Sequence, residues 1–320
     1  GQVWYNTTSG TFKSVVANAA WSAGGNLNIG RITTGGAGDK NSGLVAGGYA
    51  TTAATASTEE YNGIGWSIGG NLGAAKYEAA VRGTQTSALI FGGFSAGALA
   101  TNELYNGTSW SEQNDLNTAR RTLAGFGLQT AALATGGTPS GAATELYDGT
   151  SWTEVNDLNS ARRYLAGSGI QTSGLATGGN STPTALNESW DGTSWTEVGD
   201  LNTGRTSLAN CGTSNTSAIA VGGANNELWN GTSWTEVNDL NSARTEIGGA
   251  GSATAGLICG TTVNTEIWDG TSWTEVNNLA IAHTSLAATG TNTLALAFGS
   301  NGSPGNSATE EWTQAHAIKT

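Results

Sequence analysis

The chain has 320 residues, of which 49 are Gly and only 11% are charged, with a formal net charge of −12 and a pI near 4.5. That acidic balance argues against nucleic acid and anionic membranes as partners, because both select for Lys and Arg. The 12 Trp argue against disorder, and no apolar run approaches the roughly 20 residues that span a bilayer, so no membrane insertion is expected.

Residues 1–20, "GQVWYNTTSGTFKSVVANAA", stand outside the repeat that follows; "QVWYN" has the look of a strand, so the segment reads as an extra strand or as a connector. The chain contains no Met and starts at Gly1, and no signal peptide is visible, which suggests a processed product or a piece of a longer protein.

From Trp21 onward the chain repeats. Trp recurs at 21, 66, 110, 152, 195, 234 and 273, with Leu six residues after each. Ten residues after each Trp comes a base: Arg31, Lys76, Arg120, Arg162, Arg205, Arg244 and His283. A small-residue run follows (strand a), then an apolar run ending in Gly-Gly, such as "LATGG" at 133–137 (strand b). A variable loop leads to a Glu-x-aromatic run (strand c), with Glu at 59, 103, 145, 188, 227, 266 and 310. Asn-Gly or Asp-Gly then turns the chain into the next Trp run (strand d), and that dipeptide predicts a tight hairpin in which both turn residues take φ > 0.

Four short strands in about 40 residues, rich in Gly turns, predict an all-β, seven-bladed β-propeller of four-stranded antiparallel blades. The last unit lacks a strand d and the first strand d lacks its partners, so pairing of N-terminal and C-terminal strands in one blade is expected to close the ring and remove its open edge. Residues 21–320 would then form a single propeller of seven repeats. Gly-Gly ending strand b, an aromatic in strand c and Trp in strand d resemble kelch-type blades, in units shorter than typical kelch repeats.

Most polar repeats read as frame. Seven Glu matched by seven bases predict a ring of ion pairs tying strand c to the start of strand a, and one Trp and one Leu per unit predict inter-blade core. Cys211 and Cys259 read as buried small residues. No cofactor or metal is expected: His283 fills a base slot and His316 lies in the tail, so neither a copper site nor a Ser–His–Asp arrangement can be assembled. The Asp-Gly-Thr-Ser-Trp turns resemble the Asp box of sialidases, but the spacing departs from it, and only Arg82, Arg121 and Arg163 fall outside the repeated slot to supply an arginine cluster.

Candidate binding residues follow from what varies. The b–c loops differ in every unit, and in propeller topology they share a face with the d–a links. Tyr49 and Phe94 are the aromatics of those loops; Asp115, Asp157, Asp200 and Asp239, five residues past Trp, suit turn capping on the same face. The near-identical copies and the Thr/Ser/Asn/Gly surface resemble phage virion propellers of tail-fibre or decorating type. That resemblance implies an extracellular or virion location and a non-enzymatic role, with a host-surface glycan or protein, or another virion subunit, as partner. The alternative is a polysaccharide-acting hydrolase or lyase, for which Glu78 and Glu246, outside the repeated slots, are the candidate carboxylates.

Overall fold

The computed structural model describes residues 3–7, 11–32, 35–180, 182, 184–223, 225–300 and 307–319. Seven antiparallel blades form a ring, six of four strands and a closing one of five, with no α-helix among the described residues. Strands a are Gly35–Gly38, Ala80–Thr84, Ala124–Leu128, Ala166–Ile170, Ala209–Ser214, Gly248–Ser252 and Ala287–Gly290 in blades 1 to 7. Each touches the next, and blade 7 touches blade 1, so these strands surround the central axis. Blade 3 serves as the type: strand a is followed outward by Ala131–Thr135, Thr144–Tyr147 and Trp152–Glu154.

The ring closes through blade 7, as the unmatched strands predict. Thr11–Ala23 pairs with Thr309–Lys319, which pairs with Leu294–Phe298. Trp21 faces Trp312 just as Trp152 faces Tyr147 in blade 3. In blade 3 the c–d turn follows at once, whereas here pairing continues to Ser14↔Lys319, and Val3–Asn6 adds a fifth strand outside Thr11–Ser14. The closing strand therefore begins at Thr11, ahead of Trp21. The ribbon extends on the side of the wheel that carries the c–d turns, away from the b–c loops.

Six buried ion pairs and one His–Glu contact lock the blades. Lys76–Glu103, Arg120–Glu145 and Arg162–Glu188 lie at 2.8, 2.9 and 2.7 Å; Arg31–Glu59, Arg205–Glu227 and Arg244–Glu266 match them, and His283 reaches Glu310 at 3.3 Å. Each base sits in the d–a link and each Glu in strand c of the same blade. The arginines also hold b–c loop carbonyls: Arg162 donates to Gly178 and Leu186, Arg31 to Gly47 and Ser57. The second carboxylate oxygen accepts from the link backbone, as Glu145 Oε2 does from Asn117 N at 2.6 Å. Burial pulls the guanidiniums of Arg31, Arg120, Arg162 and Arg205 below their usual value, and the neighbouring carboxylate opposes that.

The c–d hairpins form, but not with the expected turn. Four residues, such as 148–151, separate the paired Tyr147 and Trp152. Gly149 has φ +94°, whereas Asp148 is not among the residues with positive φ. The reason is an Asx turn: Asp148 Oδ1 accepts from Thr150 N and Ser151 N, both at 2.8 Å. Asn62, Asn106 and Asn230 do the same in blades 1, 2 and 5. Those N–H bonds hold the Asp148, Asp191 and Asp269 carboxyls below the usual carboxylate range.

Between blades, small residues admit large ones. A Cβ on Gly125 would lie 2.5 Å from Phe91 Cζ of the preceding blade, so only Gly admits that ring, which packs 4.8 Å from Trp152. Where strand c of the preceding blade opens with Thr, the strand-d Trp indole reaches back to it: Trp66 to Thr309, Trp110 to Thr58 and Trp195 to Thr144, at 2.9, 2.8 and 3.0 Å. The Gly-Gly pair has a similar office. Gly136 and Gly137 take φ of +68° and +99°, which turns Gly137 N onto the carbonyl of Arg162 in the next link at 2.8 Å.

The ion pairs and the Asx turns should respond very differently to loss of a charge. Glu145→Gln leaves a buried guanidinium uncompensated and lowers the unfolding free energy by about 3–5 kcal/mol, whereas Asp148→Asn keeps the turn and leaves the urea midpoint unchanged at neutral pH, both read by urea denaturation. Burial pushes the Cys211 and Cys259 thiols up to about 12. Both should resist iodoacetamide at pH 8 in the folded protein and react once it is unfolded, as mass spectrometry would show.

Candidate functional site

The b–c loops and d–a links lie together on one face. Arg31–Ile32 pairs with Tyr49–Ala50, and single bridges join Tyr77 to Phe94, Arg121 to Thr138, Thr184 to Arg205 and Gly223 to Arg244. These bridges pin the b–c segments of blades 1 to 5 to d–a links. Of the loop expected at 301–308, residues 301–306 lie outside the described residues, as do Ser181, Pro183 and Ala224 of two other loops.

The two sequence-predicted aromatics belong to one cluster. Tyr49 meets Tyr77 edge to face at a centroid distance of 5.2 Å, and Tyr77 meets Phe94 at 5.5 Å. The Arg121 guanidinium lies 4.2 Å over the Phe94 ring and pairs with Glu78 at 3.1 Å, with both side chains partly exposed. The cluster therefore crosses from blade 1 through blade 2 to the link of blade 3. Tyr77 and Arg121 both occupy the position after the repeated base. That position varies while the base does not, and this is the signal by which they could have been found.

The next position carries a shared backbone feature. Glu78, Thr122, Tyr164, Ser207, Glu246 and Ser285, each two residues past the base, have φ between +53° and +55°. The seventh equivalent, Thr33, lies outside the described residues. Left-handed backbone disfavours side-chain-bearing residues by about 1 kcal/mol or more each. Here it is compensated by bonds from blade to blade: Thr122 N donates to Glu78 O, Tyr164 N to Thr122 O and Ser207 N to Tyr164 O, at 3.2, 3.2 and 3.3 Å. Glu78 and Glu246, expected to lie outside the repeat, are thus members of a repeated slot. They stand on blades 2 and 6, Glu78 paired with Arg121 and Glu246 accepting from Ser285 Oγ at 2.8 Å.

A cavity of about 330 Å³ opens among these residues, with Glu78, Thr122, Tyr164 and Ser207 around it and Leu123, Leu165 and Leu208 as its apolar wall. Tyr164 is 40% exposed, and Arg163 lies 5.5 Å from its ring centre.

The four aspartates are not brought together. Asp115, Asp157, Asp200 and Asp239 are exposed, one in each of blades 2 to 5. Each accepts from the first backbone N–H of strand c: Asn102, Thr144, Asn187 and Asn226, at 3.2, 3.0, 3.1 and 3.3 Å. Asn278 makes the same bond to Thr265 N, so the carboxylate charge is not required. Among the described residues no group of three or more His, Cys, Asp or Glu is placed to hold a metal ion.

The chain matches no protein-family model and no curated protein.

Proposed function

We propose that the chain is a non-enzymatic binding module of an extracellular assembly, of the kind found in phage virions, that attaches through its b–c loop face to a host-surface glycan or protein. The observation that carries this reading is the Tyr49–Tyr77–Phe94–Arg121 cluster, a run of partly exposed rings and a guanidinium drawn from variable b–c loops and the varying position of the d–a links. Aromatic faces beside charge-paired polar groups suit recognition of a ligand with alternating apolar and hydroxyl surfaces. The direction of the closing ribbon favours the same face, because Thr11–Ala20 and Thr313–Lys319 extend on the opposite side of the wheel and leave the loops clear. The resemblance of the repeat to kelch-type blades and of the surface to virion propellers supports the setting. The second reading, polysaccharide cleavage, rests on Glu78 and Glu246 lying in one slot around the same axis.

The purified chain should bind host surface or arrayed oligosaccharides, and Phe94→Ala should weaken that binding roughly tenfold or more with an unchanged unfolding midpoint. Reducing-sugar assays on the same ligands should detect no release. Release that disappears in Glu78→Gln or Glu246→Gln would establish the cleavage reading instead.

A further inference from the structure

The cavity beside the left-handed slot has a composition distinct from the aromatic cluster that leads to it. Its polar members, Thr122, Ser207 and the Tyr164 phenol, are neutral, and its carboxylate, Glu78, is neutralised by Arg121. Leu123, Leu165 and Leu208 form an apolar wall behind them. The Ser207 and Tyr164 hydroxyls, which can donate and accept, the Thr122 oxygen, left as an acceptor by its bond to Arg121 O at 2.6 Å, a carboxylate whose charge is offset, and an apolar wall match the polyol edge and C–H face of an uncharged sugar. A net charge of −12 further disfavours an anionic one.

The approach to the cavity has a direction. The b–c loops of blades 1 and 2 supply Tyr49 and Phe94, whereas "TPSGAA", "NSTPTAL", "ANN", "TTVN" and "NGSPGNSA" in the other blades contain no aromatic residue. Tyr77, Phe94 and Arg121 then connect the outer loops to Glu78 at the rim of the cavity. A ligand laid on the rings therefore reaches the cavity from one side only.

We infer that the cavity among Glu78, Thr122, Tyr164 and Ser207 binds the terminal unit of a neutral glycan whose inner units lie along Phe94, Tyr77 and Tyr49. The inference rests on the attachment reading above and narrows its ligand. The rings supply binding area that is tolerant of sugar identity, and the cavity reads the chain end through hydroxyl contacts.

The test uses an array of neutral, sialylated and sulfated oligosaccharides, each neutral chain present with a free and with a blocked terminal unit. Thr122→Tyr and Ser207→Tyr fill the cavity at positions whose backbone accepts Tyr, as Tyr164 shows at φ +54°. The wild-type chain should prefer neutral chains with a free end. Either filling variant should lose that preference and bind roughly tenfold more weakly, with an unchanged unfolding midpoint. Unchanged binding in both filling variants, together with loss in Phe94→Ala, overturns the cavity assignment and leaves the attachment reading standing. Binding confined to sialylated or sulfated chains overturns the neutral-sugar assignment. Absence of binding to every arrayed glycan overturns the inference as a whole, while attachment to a host protein is read separately from binding to intact host cells.

Discussion

The buried carboxylate of strand c is the constraint on which each blade depends. A Glu side chain with almost no water access is tolerable only if both oxygens are occupied, and in blade 3 they are: Oε1 takes Arg120 and Oε2 takes the link backbone at Asn117. The partner guanidinium in turn occupies the carbonyls that frame the b–c loop, Gly136 and Ala143. One side-chain pair thus fixes three segments that are far apart in sequence, the d–a link, the b–c loop ends and strand c. Lys76 keeps the arrangement with fewer donors by adding Thr101 Oγ1, and His283 spans Gly299 O and Glu310 with its two ring nitrogens.

Blades held internally in this way still have to be joined, and the sequence uses backbone for much of that work. The second Gly of the strand-b terminus donates to the carbonyl of the next blade's base, as Gly48 does to Lys76 and Gly179 to Arg205. At the other end of strand a, Gln85, Gln129 and Gln171 reach back to the carbonyls of Tyr61, Tyr105 and Tyr147 at 2.6, 2.7 and 2.6 Å. Inter-blade contact is thus fastened at both ends of strand a with apolar packing between. Blade 7 has no c–d turn to set its register, and in place of that turn it pairs ten residues, from Ser14 to Ala23, with Lys319 to Glu310. Long pairing offsets the chain entropy of bringing distant segments together.

Much of this frame was legible because the repeats act as their own alignment. Blade number, strand order, ring closure, the ion pairs and the Trp/Leu core all follow from invariant positions. Three features were less visible. The hairpin dipeptide suggested positive φ at both turn residues, but Asn and Asp side chains also satisfy a four-residue Asx turn, and composition does not separate the two. The Gln of the a–b turn is repeated but lies in a short segment that reads as mere connection. Glu78, Thr122, Tyr164, Ser207, Glu246 and Ser285 share a conformation without sharing chemistry, so a search for like residues passes over them. The aspartates recur with like chemistry, and the capping expected of them is present, a role that Asn278 fills in the same slot.

That contrast has a physical basis that bears on where function can lie. Where a side chain satisfies buried backbone or charge, substitution is costly, and the repeats stay alike. Where the backbone satisfies itself, as Tyr164 and Ser207 do through their blade-to-blade bonds, the side chain is released from structural work although its φ is fixed to within a few degrees. Such positions combine rigidity with freedom of chemistry, which is what a recognition surface needs: a pre-set geometry loses little entropy on binding, and each blade can present a different group. Among the described residues the slot two past the base combines a fixed φ with varied chemistry, and in blades 2 to 5 its residues border one cavity. The outer loops meet only the second condition, except where Tyr49, Tyr77 and Phe94 pack against one another and lend Phe94 and Arg121 a fixed place. On the proposed attachment reading, binding is concentrated where the aromatic cluster joins the slot, at Arg121 and Glu78.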